Sequence, residues 1–156
     1  MSNVKIKKIK QIPESTRVDA RKSVEKIINA YSRFVPREII TLMGQDDINS
    51  VSLGDHIEKT MTILFSDIRD FTSLSEEMTP KENFTFINSY MECMNPVIAR
   101  NGGIIDKYIG DAIMALFPSS ADEALRCAIE MLHQLHAHNK KIKKSGYPPV
   151  KIGLGI

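Results

Sequence analysis

The spacing of apolar residues changes several times along the chain, and each change marks an element. Val24, Ile28, Tyr31 and Val35 recur at alternating four- and three-residue intervals, with Ile27 and Phe34 beside them. That spacing predicts a helix across residues 17–43 with one apolar stripe. Pro36 disfavours helical geometry at Val35 and places a break there. The stretch "PREIITLMGQ" then forms a second short helix stopped by Gly44. The stripe is too short to establish a coiled coil, so the helix packs either on its own domain or on a partner chain. Ahead of it, residues 1–16 are polar and basic and read as a solvated tail. Behind it, residues 45–60 form a connecting loop with a short strand near Val51.

A strand follows at 61–66, and residues 70–78 hold one short helix. Thr79-Pro80-Lys81-Glu82 is a capping box with proline at the first helical position. The helix it opens carries Phe84, Ile87, Met91, Met94 and Ile98 on one face and ends at "RNGG", where Gly102 takes the left-handed conformation. "IIDKYI" and "AIMALF" flank Gly110-Asp111, a hairpin signal between two β-prone runs. The second run is apolar on both faces, as a central strand is. Ser120 to Glu123 is another capping box, and its helix turns Ala121, Ala124, Leu125, Ala128, Ile129, Leu132 and Leu135 inward. Lysines in "KKIKKSGYPP" meet the negative end of its dipole. A last strand begins at Val150.

The order is β-α-β-β-α-β, the ferredoxin-like arrangement of an α+β fold. Right-handed crossovers put the first and third strands side by side in the centre, antiparallel. The end of the first strand then lies beside the start of the third.

Composition narrows the classes. The 156 residues suffice for one ordinary domain and an appendage. A net charge of +2 is too small to argue for nucleic acid or a membrane surface. Cys93 and Cys127 lie far apart in apolar helical patterns, so a disulfide framework is not expected and a reducing compartment is. No apolar run approaches the roughly 18 residues that span a bilayer, and no signal peptide is visible at "MSNVKIKKIK". The expected location is the cytoplasm.

Two carboxylates stand out against this frame. In "TILFSDIRDFT" an apolar run leads straight into Asp67, with Asp70 three residues on. Asp111 occupies the hairpin turn before the third strand. The topology makes Asp67 and Asp111 neighbours, and two close carboxylates repel unless a proton or a cation lies between them. Hard oxygen donors of this kind suit magnesium or manganese, completed by a substrate phosphate. Aspartate is also common at turns for its own sake, and from either residue alone that reading stays open. Backbone N–H groups near Phe71 and Thr72, at the start of the short helix, can face an anion. His133, His136 and His138 gather near the end of the last helix without a cysteine partner and read as solvated side chains rather than zinc ligands.

These segments, "TILFSDIRDFTSLSE", "GGIIDKYIGDAIMALF" and "KIGLGI", closely resemble the catalytic domain of class III nucleotidyl cyclases, in the bacterial adenylate cyclase branch. The resemblance runs from about Phe34 to Ile156. It implies that Asp67 and Asp111, with the Ile68 carbonyl, bind two divalent cations, magnesium or manganese. It implies that backbone groups at Phe71 and Thr72 cradle phosphate, and that Lys107 reads the adenine of ATP. A lysine only donates and adenine N1 only accepts; guanylate cyclases usually carry glutamate at that position. The implied reaction converts ATP to cyclic AMP and pyrophosphate, between two antiparallel domains of a homodimer, with metals from one chain and the base-reading lysine from the other.

The chain is expected to divide into a basic tail at 1–16, a helical linker at 17–44 and a partial cyclase domain at 45–156. The linker resembles the segment that joins such domains to upstream regulators. Many members carry glycine where Asp70 stands. Members continue beyond "GLGI" with the rest of the sheet. The expectation is therefore a domain cut short, its sheet incomplete, with no catalytic residue beyond the metal ligands in this chain. The second base-reading residue and the transition-state asparagine and arginine are expected beyond residue 156. The alternative is a catalytically incompetent fragment that acts as a metal- or nucleotide-binding or dimerisation module.

Overall fold

The computed structural model describes residues 22–24, 26–27, 37–46, 48–144 and 146–156. The chain divides into two units, Met1–Ile48 and Asn49–Ile156. In the first, residues 22–24 and 26–27 are helical, with Val24 and Ile27 exposed. Ile28, Tyr31, Phe34 and Val35, the rest of the expected stripe, lie outside the described residues, as does the basic tail. The short helix α1 (Arg37–Leu42) forms where expected, and Gly44 at φ 73° follows it.

The second unit holds a four-stranded sheet with helices on one face. Its strands are β1 (Thr62–Ile68), β2 (Ile104–Ile109), β3 (Ala112–Phe117) and β4 (Ile152–Gly155). The helices are α2 (Phe71–Glu76), α3 (Pro80–Arg100) and α4 (Ala121–Lys144). The sheet order is β2-β3-β1-β4, with every neighbouring pair antiparallel. This is the ferredoxin-like order read from the sequence, with β1 and β3 central.

Alternation along β1 sends Leu64, Ser66 and Ile68 into the core and Ile63, Phe65 and Asp67 to the other face. The core packs Leu64, Ile68, Ile113, Ala115 and Phe117 of the sheet against Tyr90, Met94 and Ile98 of α3 and Cys127 and Met131 of α4. Ser66 is polar and fully buried, and the Tyr90 hydroxyl satisfies it at 2.8 Å. Among the described residues of this unit no helix covers the opposite face, where Phe65 is 46% and Ile109 52% exposed.

The Thr79 capping box forms as read. Glu82 N–H donates to Thr79 Oγ1, and the Glu82 carboxylate accepts from the Thr79 N–H at 2.9 Å. The Thr79 hydroxyl, which donates to Glu82 Oε2 at 2.7 Å, and then the Thr79 N–H hold the Glu82 carboxyl below its usual range. Gly102 leaves α3 at φ 80°.

Several expectations are corrected. Near Val51 there is no strand; a 3-10 turn occupies Ile48–Ser50. β1 runs two residues further than 61–66 and so includes Asp67. Phe84 is 70% exposed, because it falls just outside the arc that Phe86, Tyr90, Met94 and Val97 press against the sheet. On α4 the inward face is Ala124, Cys127, Ala128, Met131, Leu135, His138 and Ile142. Ala121, Leu125, Ile129 and Leu132 point away from it. His138 is buried rather than solvated, and its ring meets that of Tyr90 at a steep angle, 69°, with centroids 6.5 Å apart. The last strand starts at Ile152, not Val150, because Asn139 of α4 claims both backbone groups of Val150, at 2.7 and 2.8 Å.

Candidate active site

The β1–β3 register fixes the site. Thr62 pairs with Phe117 and Ser66 with Ile113, so the next positions set Ile68 opposite Asp111. There the ladder ends on a side chain: Ile68 N–H donates to Asp111 Oδ2 at 3.1 Å. In an extended strand a residue's N–H and C=O point to the same edge. The Ile68 carbonyl therefore faces the Asp111 side as well.

Asp67, one residue earlier, projects onto the open face and is exposed, while Asp111 is half-buried. Burial first, and then the adjoining Asp67 carboxyl, raise the Asp111 carboxyl above its ordinary range. The two side chains named from the sequence are thus in contact, as topology required. Neither has a lysine or arginine partner among the described residues. No group of three or more His, Cys, Asp or Glu side chains converges among the described residues either. The donor set is two carboxylates and a carbonyl at one rim of the sheet. It fits a hard divalent cation whose shell is completed by a ligand's oxygens or water.

Immediately after β1, Asp70 adopts φ 59°, the only non-glycine at positive φ among the described residues. Aspartate is one of the few side chains that tolerates this region. It turns the chain into α2 without a side-chain cap, so the first N–H groups of α2, at Phe71 and Thr72, have no intrahelical acceptor. Phe71 packs on the core and stacks on Phe86 at 6.5 Å, which fixes this end of the helix beside the carboxylates. Thr72 is exposed.

Lys107 lies on the same open face as Asp67. It pairs with Met114 of β3, while the Asp67 position faces Ala112, also of β3. Two strand spacings separate Lys107 from Asp67, about 10 Å across the sheet. The β2 register shifts between Ile105 and Lys107. Asp106, at that irregularity, pairs with the Lys107 ammonium at 3.0 Å. Asp106 was not singled out from the sequence, because an irregularity breaks the alternation that would have shown its side. Arg69 was also missed: its guanidinium lies against Gly153 of β4. A strand drawn only to residue 66 gives no reason to place residue 69 on either face.

A family model described as the adenylate and guanylate cyclase catalytic domain matches residues 53–156. The chain is 43% identical over 138 residues to an adenylate cyclase of Anabaena cylindrica, covering 85% of this chain and 28% of that protein. It is 41% identical over 149 residues to the terminal-differentiation specific adenylate cyclase of Dictyostelium discoideum, covering 92% of this chain and 7% of that protein. It therefore spans less than a third of either relative. Among solved structures it resembles the guanylyl cyclase Cya2, at 40% identity and TM-score 0.57 over 61% of this chain and 51% of that one. It also resembles the adenylyl cyclase CyaB from P. aeruginosa, at 30% identity and TM-score 0.58 over 64% of this chain and 57% of that one. A bacterial light-regulated adenylyl cyclase shares the fold over 95% of this chain and 44% of that one, at 22% identity and TM-score 0.71.

Proposed function

The chain belongs to the adenylate and guanylate cyclase catalytic domain family, and from that premise we propose that it forms cyclic AMP and pyrophosphate from ATP. Members of the family use divalent metals; two ions, magnesium or manganese, are inferred here, held by Asp67, Asp111 and the Ile68 carbonyl. Cations held there would supply Lewis acidity that lowers the pKa of the ribose 3′ hydroxyl and would neutralise charge on the phosphates. The 3′ oxygen bonds to the α-phosphorus, the bond from that phosphorus to the bridging oxygen breaks, and pyrophosphate leaves. The hydroxyl proton passes to solvent. The observation that carries this reading is the Ile68–Asp111 bond, which places both carboxylates at one rim of an open sheet face.

The other residues take supporting roles. The N–H groups of Phe71 and Thr72 hold phosphate oxygens, with Phe71 fixed by Phe86. Lys107 donates to the adenine edge, which favours ATP over GTP. Its separation from Asp67 on one face suits a homodimer in which each chain offers its metal end to one nucleotide and its lysine to the other. The exposed Phe65 and Ile109 on that face supply apolar surface for such a partner. Residues 17–44 act as the linker to an upstream regulator, and residues 45–156 as the cyclase part. Two free cysteines suit a cytoplasmic setting. No helix among the described residues is long and apolar enough to cross a membrane.

The test is complementation. The purified chain is mixed with a homologous adenylate cyclase domain whose own metal aspartates are replaced by alanine, with ATP and manganese. Cyclic AMP on mixing, absent from either protein alone at the same concentration and lost with Asp67→Ala in this chain, is the expected result. No cyclic AMP on mixing, with stabilisation by manganese and ATP retained, would favour a binding module instead.

A further inference from the structure

We propose that Arg69 is a second anchor for the polyphosphate of the nucleotide, seated beside the metal carboxylates by the absence of a side chain at Gly153; this rests on the nucleotide-binding reading above. β1 and β4 pair with Asp67 opposite Gly153 and Ile68 opposite Ile152. The ladder continues one step, with Arg69 N–H donating to the Lys151 carbonyl at 2.8 Å. Gly153 stands opposite Asp67, and the side chain that a Cβ at Gly153 would meet is that of Arg69, so Arg69 lies on the face of Asp67 and not on the core face of Ile68. The guanidinium then doubles back along that face. A Cβ built at Gly153 would collide with its Nη2, Cζ and Nε together. Directly opposed residues of an antiparallel pair are about 5 Å apart, so the guanidinium lies one strand spacing from the Asp67 backbone.

The group is available to a ligand. Arg69 is exposed, and among the described residues no carboxylate forms an ion pair with it. A guanidinium carries five donors in a planar fork that matches phosphate oxygens two at a time. Asp67 and Asp111 attract the cations, and Arg69 meets the anion those cations bring. The small residue opposite Asp67 has a stated use here: any side chain at position 153 would lift the fork away from the carboxylates.

Melting temperatures separate this inference from the one beneath it. The chain is melted in EDTA, in excess manganese, and in excess manganese with increasing inorganic tripolyphosphate. Wild type, Arg69→Gln, Arg69→Lys and Gly153→Ala are compared. Manganese alone should raise wild type and Arg69→Gln equally. Tripolyphosphate should raise wild type further, with about tenfold weaker apparent affinity in Arg69→Gln, as expected for a lost hydrogen bond to a charged group. Arg69→Lys should recover part of the loss, and Gly153→Ala should weaken affinity with Arg69 still present. Equal tripolyphosphate affinity in wild type and Arg69→Gln overturns the role of Arg69. A wild type that ignores manganese overturns the metal site itself, and the two failures are distinct. Melting in EDTA shows whether each variant folds.

Discussion

Ile68 and Asp111, far apart in sequence, share one hydrogen bond of 3.1 Å from backbone N–H to carboxylate. It closes the β1–β3 ladder where the next backbone partner would otherwise stand. Because it uses one oxygen of Asp111, it also fixes where the rest of that carboxylate lies: against Asp67. The proximity comes from strand register rather than from any local motif. It has a cost.

That cost can be measured. Burial and the Asp67 carboxyl both disfavour the charged form of Asp111. Asp111→Asn keeps an acceptor for the Ile68 N–H and removes the repulsion. In EDTA near neutral pH, Asp111→Asn is expected to melt above wild type. In saturating manganese the order should reverse, since a ligand that binds only the folded state stabilises it.

Asp70 combines an unfavourable conformation with an unfavourable charge. A left-handed conformation costs an L-residue about 1–2 kcal/mol, and glycine's extra chain entropy returns roughly 0.5–1 kcal/mol of that cost. Asp70→Gly should therefore shift stability by about 0–1.5 kcal/mol. It also removes a negative charge near the phosphate cradle, so tripolyphosphate affinity in manganese should rise roughly twofold. A fall in affinity would mean that the Asp70 carboxylate takes part in binding.

Gly103 tests the packing that carries the site. A Cβ there would lie 2.6 Å from Phe117 Cζ and 2.7 Å from Ile98 Cγ2, between the end of α3 and β3. Gly103→Ala is expected to destabilise the fold by about 1–3 kcal/mol, the range for overpacking a core. Denaturant unfolding measures it.

His138 predicts a pH dependence of stability. Burial first, then the Lys141 charge, lower its pKa below 6.5. The folded state therefore holds fewer protons than the unfolded state across that interval. Stability is fully present above the unfolded value near 6.5 and is lost as pH falls through it towards the folded value. His138→Phe should flatten that part of a melting-versus-pH curve while leaving the response to manganese in place.

How much of this could be read in advance depended on which physical rule governed each residue. Asp67 and Asp111 were legible because crossover handedness sets strand adjacency whatever the side chains are. The Thr79 capping box was legible because its partners are three residues apart. The end of β1 was not, since a side chain of the β2–β3 turn completes its last pairing. Nor was the start of β4, where Asn139 intercepts Val150. The inward face of α4 was misread for a different reason. The first turns of its buried arc are Ala124, Cys127 and Ala128, small residues that contribute little to the apolar pattern. The larger Leu125, Ile129 and Leu132 dominate the apolar pattern and are nevertheless exposed. Arg69 stayed hidden because its place follows from β1 running to Ile68 and from Gly153 opposite Asp67.

The central claim is that Asp67 and Asp111 jointly hold divalent cations, and manganese binding followed by electron paramagnetic resonance tests it most directly. Free manganese is counted while the wild-type chain, Asp67→Asn and Asp111→Asn are titrated, with and without tripolyphosphate. The account predicts saturable uptake by wild type, strengthened by tripolyphosphate and lost in both variants. Equal uptake by all three proteins would contradict it.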